Sequence, residues 1–596
     1  MNKRWKIKSR GVLPYASLDY KSKVEEIIKI LLNNRGLKTK KQQEEFFNPE
    51  KPWDKKVIKE IRISQKQLDK TVKRIKKAIK NKELIVVYGD YDADGICATA
   101  ILWETLYSLK AKAMPFIPHR EKHGYGLSEK GIDQIINDSR FQIPDSGFLI
   151  ITVDNGITAH KVVEYAKEKG IDVIITDHHQ RKSFQQPVSG SQNKKKLPRA
   201  KSHAPRAKYD LPKAEAIVWS DKVCGAVVAW VLAKELLENS KNSKAPIIIR
   251  ELLDLAAIAT ITDMIPLQGP SRSIVKYGLE QLNKTERIGL KAMFEEAGLK
   301  KGEIFAWQLG FVIGPRINAM GRLVSALDSL RLLCTKDKKR AKNLAQTLGT
   351  VNRERQELTL STFEQAKEMS IRRLEDGTKE LKILIITHKS FNPGIIGLVA
   401  GRLVENFYKP AIVISKGEEF CKASVRSVKG FNIIEYLRSF EDLFEDLGGH
   451  PMAAGFTVKT SRLVEFQKKL ENEAQKQIND ELLKPTLEAD CEIELADIKL
   501  ALYNQVKNFA PFGIGNPQPS FVTKEVEVAD FRQVGRDKKH LKLILKQPAI
   551  HAIAFNKGNF ALKLKPNQKI DILYNIDENN WNGKKDLQIK VKDIKI

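Results

Sequence analysis

Three short apolar runs, LIVVY (84–88), FLIITV (148–153) and VIIT (173–176), each lead straight into acidic residues, with helical patterns such as ICATAILWETL and VVEYAKEKG between them. Buried strands alternating with helices are the sequence form of a parallel sheet with crossover helices. Such a sheet gathers whatever follows its strands along one carboxyl edge, where open α/β sheets bind their ligands. Here the edge receives Gly89-Asp90-Tyr91-Asp92-Ala93-Asp94-Gly95, then Asp154-Asn155-Gly156, then Asp177-His178-His179. A helix cap would explain one acidic ending. Three on one edge bring together carboxylates that repel one another, and that calls for a cation.

Asp90, Asp92 and Asp94 alternate, so in extended chain their side chains point the same way. A fourth acid, Asp263 in AAIATITDMIPL, stands in an apolar stretch where an unpaired charge is expensive. Carboxylates with a neutral imidazole suit Mn²⁺ or Mg²⁺. The five cysteines form no CxxC pair and are odd in number, which disfavours thiolate zinc and a disulfide framework and fits a reducing cytoplasm. Two ions held ~3.5–4 Å apart by such ligands activate water and stabilise the oxyanions of phosphoryl transfer. The paired histidines divide naturally, His178 as a ligand and His179 as a donor to the phosphate or leaving oxygen.

The formal charge of +30 favours a polyanionic partner, nucleic acid above all. Length predicts several domains. Residues 1–80 read as a peripheral, basic, helical region. An α/β domain follows over 81–334, interrupted at 183–213 by a Lys-rich insertion. A long connecting helix is expected over 335–377 and a second α/β domain over 378–470, with strands near ILIIT and AIVIS and a Gly-rich turn in GGHPMAAGF. Residues 471–596 read as a helical return and a small β-barrel. The longest apolar runs fall far short of a bilayer span.

In this order GDYDADG, TVDNG, TDHH and TDMIPL resemble the DHH phosphoesterase superfamily. IPHREKHGYGLS, GPRINAMGRL, FNPGIIGLVAGRLVE, ASVRS, GGHPMAAGF and PFGIGNPQP are similar to the RecJ family of bacterial single-strand-specific DNA exonucleases, across about residues 50 to 596. The resemblance implies a DHH catalytic domain, a DHHA1 domain, an OB-like barrel, and 5′ to 3′ exonuclease action in DNA repair and recombination. It implies metal ligands at Asp92, Asp94, Asp154, His178 and Asp263, with Asp90 a neighbour, and His179 facing the scissile phosphate. It also gives the second α/β domain a share in holding the nucleotide chain. Phosphate donors are then expected at Arg120, Arg316, Asn318 and Arg322, and at Ser424, Arg426, Gly449 and His450. In the barrel Phe512, Phe531 and Lys542 are candidate contacts, but aromatics of a small barrel are more often core than platform, so they stay outside the expected site. By analogy the partners are single-stranded DNA, a single-strand-binding protein and a helicase. Where relatives carry Asn-Pro after the insertion, this chain has Trp219-Ser220. Two other readings stand beside the exonuclease: a DHH phosphodiesterase of short oligonucleotides or cyclic dinucleotides, and an inactive single-strand-binding scaffold.

Overall fold

The computed structural model describes residues 3–9, 19–144, 147–181, 210–375, 381–581 and 584–596, so nearly all of the Lys-rich insertion lies outside the described residues. The chain forms two compact units. One is Asn48–Asn352 with Pro511–Asn516; the other is Met1–Phe47 with Arg353–Ala510 and Pro517–Ile596.

Five parallel strands organise the first unit, in the spatial order Ala113–Phe116, Leu84–Tyr88, Phe148–Val153, Asp172–Asp177, Ala216–Trp219. Apolar, β-branched runs suit strands covered on both faces. Alternate residues supply two cores: Ile85, Val87, Leu149, Ile151 and Ile174 face one, and Leu84, Val86, Tyr88, Phe148, Ile150 and Ile175 face the other. Helices Ala93–Ser108 and Gly225–Glu238 pack on the first face, and helix Leu253–Thr262 packs on those two in the same core. Helices Glu129–Asn137 and His160–Glu168 contribute Ile132, Ile135, Val163 and Ala166 to the second. The first strand in sequence lies between the second and third. Strand order therefore reverses between Leu84–Tyr88 and Phe148–Val153, and a crevice opens at their carboxyl ends.

The region 1–80 does not stay together as the sequence suggests. Helices Lys55–Ile61 and Gln65–Lys80 bury Ile61, Leu68, Val72, Ile75 and Ala78 in the core of the first unit, with their lysines left outside. Residues up to Phe47 belong to the second unit, where a strand at Arg4–Ile7 pairs in parallel with Thr486–Ala489. The expected connecting helix is one continuous helix, Lys338–Glu375, and the division between the units falls within it.

In the second unit a mixed sheet runs Asp446–His450, Ala453–Lys459, Phe420–Arg426, Ala411–Lys416, Leu384–His388. Its last two strands are parallel and its other pairings antiparallel. Gly448, Gly449 and His450, read from sequence as part of a turn, lie instead in the edge strand; the turn is Pro451-Met452. Gly449, at φ 154°, passes so near the neighbouring strand that an added Cβ would sit 2.6 Å from Ala454 Cα, which is why a poor strand former serves there. Finally, Phe521–Val534 pairs with both His540–Leu545 and Lys569–Trp581. With Ile550–Ala554 and Lys584–Lys595 this closes a five-stranded barrel. Phe531 and Lys542 lie on its first two strands, but Phe512 belongs to the first unit. Among the described residues no helix is long and apolar enough to cross a membrane.

Candidate metal centre

The crevice at the strand reversal collects the predicted acids. Asp90, Asp94 and Asp154 are buried, and Asp92, His178 and Asp263 are half-buried. His178 Nε2 lies 3.1 Å from Asp154 Oδ1, 3.6 Å from Asp94 Oδ2 and 3.7 Å from Asp263 Oδ2. Asp90, Asp92 and Asp154 form a second close group sharing Asp154 with the first, their donor atoms within 4.8 Å of one another.

Local hydrogen bonds aim these carboxylates. Asp92 caps helix Ala93–Ser108, its Oδ1 accepting from the amides of Asp94 and Gly95 at 3.0 Å. Asp94 accepts from the first amides of helix Gly225–Glu238, Gly225 to Oδ2 and Ala226 to Oδ1, both at 2.7 Å. A helix amino terminus therefore steadies each carboxylate's charge. Asp154 stands at φ 64°, a left-handed conformation uncommon for a residue with a side chain. Gly225 permits this approach, because a Cβ there would lie 2.5 Å from Asp154 Oδ1.

Asp90 Oδ1 and Asp154 Oδ1 are buried yet accept no hydrogen bond from the described residues. Burial, then mutual repulsion, raises the proton affinity of Asp90, Asp92 and Asp154, and pushes Asp263 up to about 8. Orphaned carboxylate oxygens under this strain are what a pair of divalent cations would relieve, so the donor set fits Mn²⁺ or Mg²⁺. His178 is held below its ordinary value, chiefly by burial, which keeps the imidazole neutral as a ligand must be.

Asp177 does different work from the other acids. Its Oδ2 accepts from the Ile157 amide at 2.8 Å, and its Oδ1 accepts from the amides of His178 and His179 and lies 2.7 Å from His179 Nδ1. Burial alone would lower the His179 imidazole, but Asp177's hydrogen bond and charge outweigh it and raise His179 to about 9. The other ring nitrogen, Nε2, lies 2.9 Å from the Tyr125 hydroxyl. Sequence reasoning missed Tyr125, although it stands in the quoted HGYGLS segment. The departure at Trp219 touches the site, since its indole N–H donates to the His179 carbonyl at 2.8 Å.

The predicted phosphate donors divide. Arg120 is exposed, with its guanidinium over the Tyr91 ring at 5.3 Å, and Arg322 sits in the last turn of helix Gly314–Leu323. Two others also have partners within the fold. Arg316 is tied to Glu296 at 2.8 Å and to the Val312 carbonyl at 2.9 Å, a half-buried ion pair within the fold. Asn318 Oδ1 accepts from the Ala93 amide at 2.8 Å, so it braces the Asp92–Asp94 turn. In the second unit, register puts Gly448, Gly455 and Ser424 in one cross-strand row and His450, Ala453 and Arg426 in the next on that face, with Gly449 in the intervening row. The small residues leave that face of the sheet low beside Ser424, Arg426 and His450. A Cβ on Gly397 would lie 2.9 Å from Ser424 Oγ, so the first turn of helix Ile396–Phe407 borders the same patch.

Comparison with known proteins agrees with this geometry. Family models match as the DHH family N-terminal domain over 84–260, the DHHA1 domain over 380–476 and the RecJ OB domain over 489–593. The single-stranded-DNA-specific exonuclease RecJ of Bacillus subtilis is 33% identical over 600 residues, covering 99% of this chain and 70% of that protein. The crystal structure of RecJ from Thermus thermophilus in complex with Mn²⁺ matches with a TM-score of 0.76 at 27% identity, over 100% of this chain and 79% of that one. Its complex with Mg²⁺ matches with a TM-score of 0.71 at 26% identity, over 100% and 78%. With three family domains in the same order and a third of its residues shared along nearly its whole length, the chain belongs to the RecJ family.

Proposed function

We propose that this chain is a metal-dependent exonuclease that hydrolyses phosphodiester bonds of single-stranded DNA from the 5′ end, in DNA repair and recombination. The observation that carries this reading is the cluster of carboxylates around His178 at the strand reversal, with two buried carboxylate oxygens left unsatisfied. Asp90, Asp92 and Asp154 would hold one Mn²⁺ or Mg²⁺, and Asp94, His178 and Asp263 a second, with Asp154 beside both. Bound there, such ions activate a water and neutralise charge developing on the phosphoryl oxygens.

The chain's own groups orient the substrate and move the proton. Asp177 holds the His179 ring by Nδ1, so that Nε2 is the atom available to a phosphate or leaving oxygen, and Tyr125 marks that position with its hydroxyl. Arg120 and Arg322 supply cationic N–H donors near Tyr91. Ser424, Arg426 and His450 border the low, small-residue face of the second unit's sheet, where a terminal 5′ phosphate is the chemistry their donors suit. In a cytoplasmic setting a single-strand-binding protein and a helicase would present the strand.

The test is degradation of a long DNA labelled at either end, single- or double-stranded, with Mn²⁺, Mg²⁺ or EDTA. Metal-dependent loss of single strands from the 5′ end is expected. Cleavage confined to dinucleotides, or tight binding without cleavage under any metal, overturns the reading.

A further inference from the structure

Three aromatic rings stand exposed on one short segment of the first unit. Phe305, Trp307 and Phe311 are 63%, 63% and 68% exposed, and the Trp307 and Phe311 rings stack with centroids 5.4 Å apart at 21°. Hydration of so much aromatic surface is costly, and contiguous exposed apolar patches in soluble proteins mark binding sites. The backbone beneath is irregular: Leu309–Ile313 is a π-helical turn between Ala306–Gln308 and helix Gly314–Leu323, a feature common at functional sites.

The segment is also anchored to the turn that carries Asp263. A Cβ on Gly310 would meet Ile261 at 3.5 Å, and one on Gly314 would strike the Thr262 side chain. Gly513 packs on the same Ile261 and on Leu267, whose amide donates to the Ile514 carbonyl at 2.7 Å. Met264 and Ile514, on these neighbouring turns, are exposed as well. The aromatic segment therefore packs on the residues immediately before a proposed metal ligand.

We infer that Trp307 and Phe311 form a stacking platform for nucleobases of the single strand engaged at the metal centre. This rests on the nuclease reading and adds a contact to bases, which phosphate donors cannot supply. The occupant follows from three observations. Two stacked, largely exposed rings match the flat faces of unpaired bases, which every nucleotide offers regardless of sequence. The chain's charge of +30 favours a polyanion on its surface. The platform is rigidly joined to the Asp263 turn, so a base resting on it has a fixed place relative to the carboxylates. Bases inside a duplex present no free face, so the platform also discriminates for single strands.

The experiment compares the full chain and its Trp307→Ala/Phe311→Ala variant for binding to a single-stranded oligonucleotide and to an abasic strand of equal length, without cleavage, in Ca²⁺. Loss of stacking on one or two bases is expected to weaken binding of the base-bearing strand by about 5- to 100-fold, with abasic affinity unchanged. Equal loss on both strands, or no loss, overturns the platform; the latter would leave the patch to a protein partner. A Trp307→Phe/Phe311→Tyr variant should keep wild-type preference for bases. Independently of any variant, photocrosslinking of the wild-type chain to a 5-iododeoxyuridine strand should label the 305–311 segment, and adducts found solely elsewhere would also overturn it. If the wild-type chain neither binds nor degrades single strands, the nuclease reading itself fails, which is distinct from both outcomes.

Discussion

Adding a single methyl group at Gly225 should disable the metal centre while the protein stays folded. A Cβ at this position lies 2.5 Å from Asp154 Oδ1, 2.7 Å from its Cβ and 2.8 Å from its Cγ, whereas ordinary contact begins at 3.4 Å. The Asp154 carboxylate must therefore retreat by about 0.9 Å, or the helix start must do so and carry off the amides that hold Asp94. Displacement of a reacting group by about 1 Å can cost on the order of 100-fold in rate. Gly225→Ala is thus expected to lower kcat for release of nucleotides from end-labelled single strands by roughly 100-fold, with binding in Ca²⁺ little changed. Overpacking of this kind typically costs about 1–3 kcal/mol, a few degrees in melting temperature for a chain this large. Gly401→Ala is the control: an added Cβ there meets nothing within 4 Å, and replacing a helical glycine should raise stability by up to about 1 kcal/mol without touching the rate. Wild-type kcat in Gly225→Ala would refute the claim that close packing against Asp154 sets the geometry of the site.

Asp154→Ala and His178→Ala should each abolish cleavage while single-strand binding by gel shift persists; substantial residual cleavage in both would remove the metal assignment. Asp177→Asn should cut kcat by about 10- to 100-fold at nearly constant KM, because His179 loses the charged acceptor that fixes its ring. Unchanged kcat would show that the ring needs no such tether. If Arg120, Arg322 and Arg426 each neutralise one phosphate, the logarithmic salt slope should be about −2, a fall in affinity of roughly 20-fold between 50 and 200 mM salt. A flat titration would contradict phosphate tracking by these residues.

The catalytic sheet was legible in the sequence because its central strands are buried on both faces and read as unbroken apolar runs. Its outer strands, Ala113–Phe116 and Ala216–Trp219, are only four residues long and partly buried, and the first holds Pro115, a poor strand former, so they stood out less. The acids of the site were legible as strand endings, but not their division of labour. Asp177 and Asp154 end neighbouring strands alike, and only the amides around Asp177 show that it turns toward His179. Arg316 and Asn318 lie in a segment rich in donors, and nothing local in it discloses that Glu296 pairs with the Arg316 guanidinium or that the Asn318 Oδ1 accepts from the Ala93 amide. The strand at Arg4–Ile7 was hidden because its partner is at the far end of the chain, beyond the reach of any local pattern.

That last pairing bears on how the protein is made. With synthesis at roughly 5–20 residues per second, about 480 residues separate Arg4–Ile7 from its partner, so the strand waits between half a minute and a minute and a half on the ribosome. The Asn48–Asn352 unit also closes late, since Leu267 bonds to Ile514. Nascent chains thus carry an unpaired strand edge for all of that interval, and stalling before residue 486 would leave a product whose Arg4–Ile7 segment lacks its strand partner.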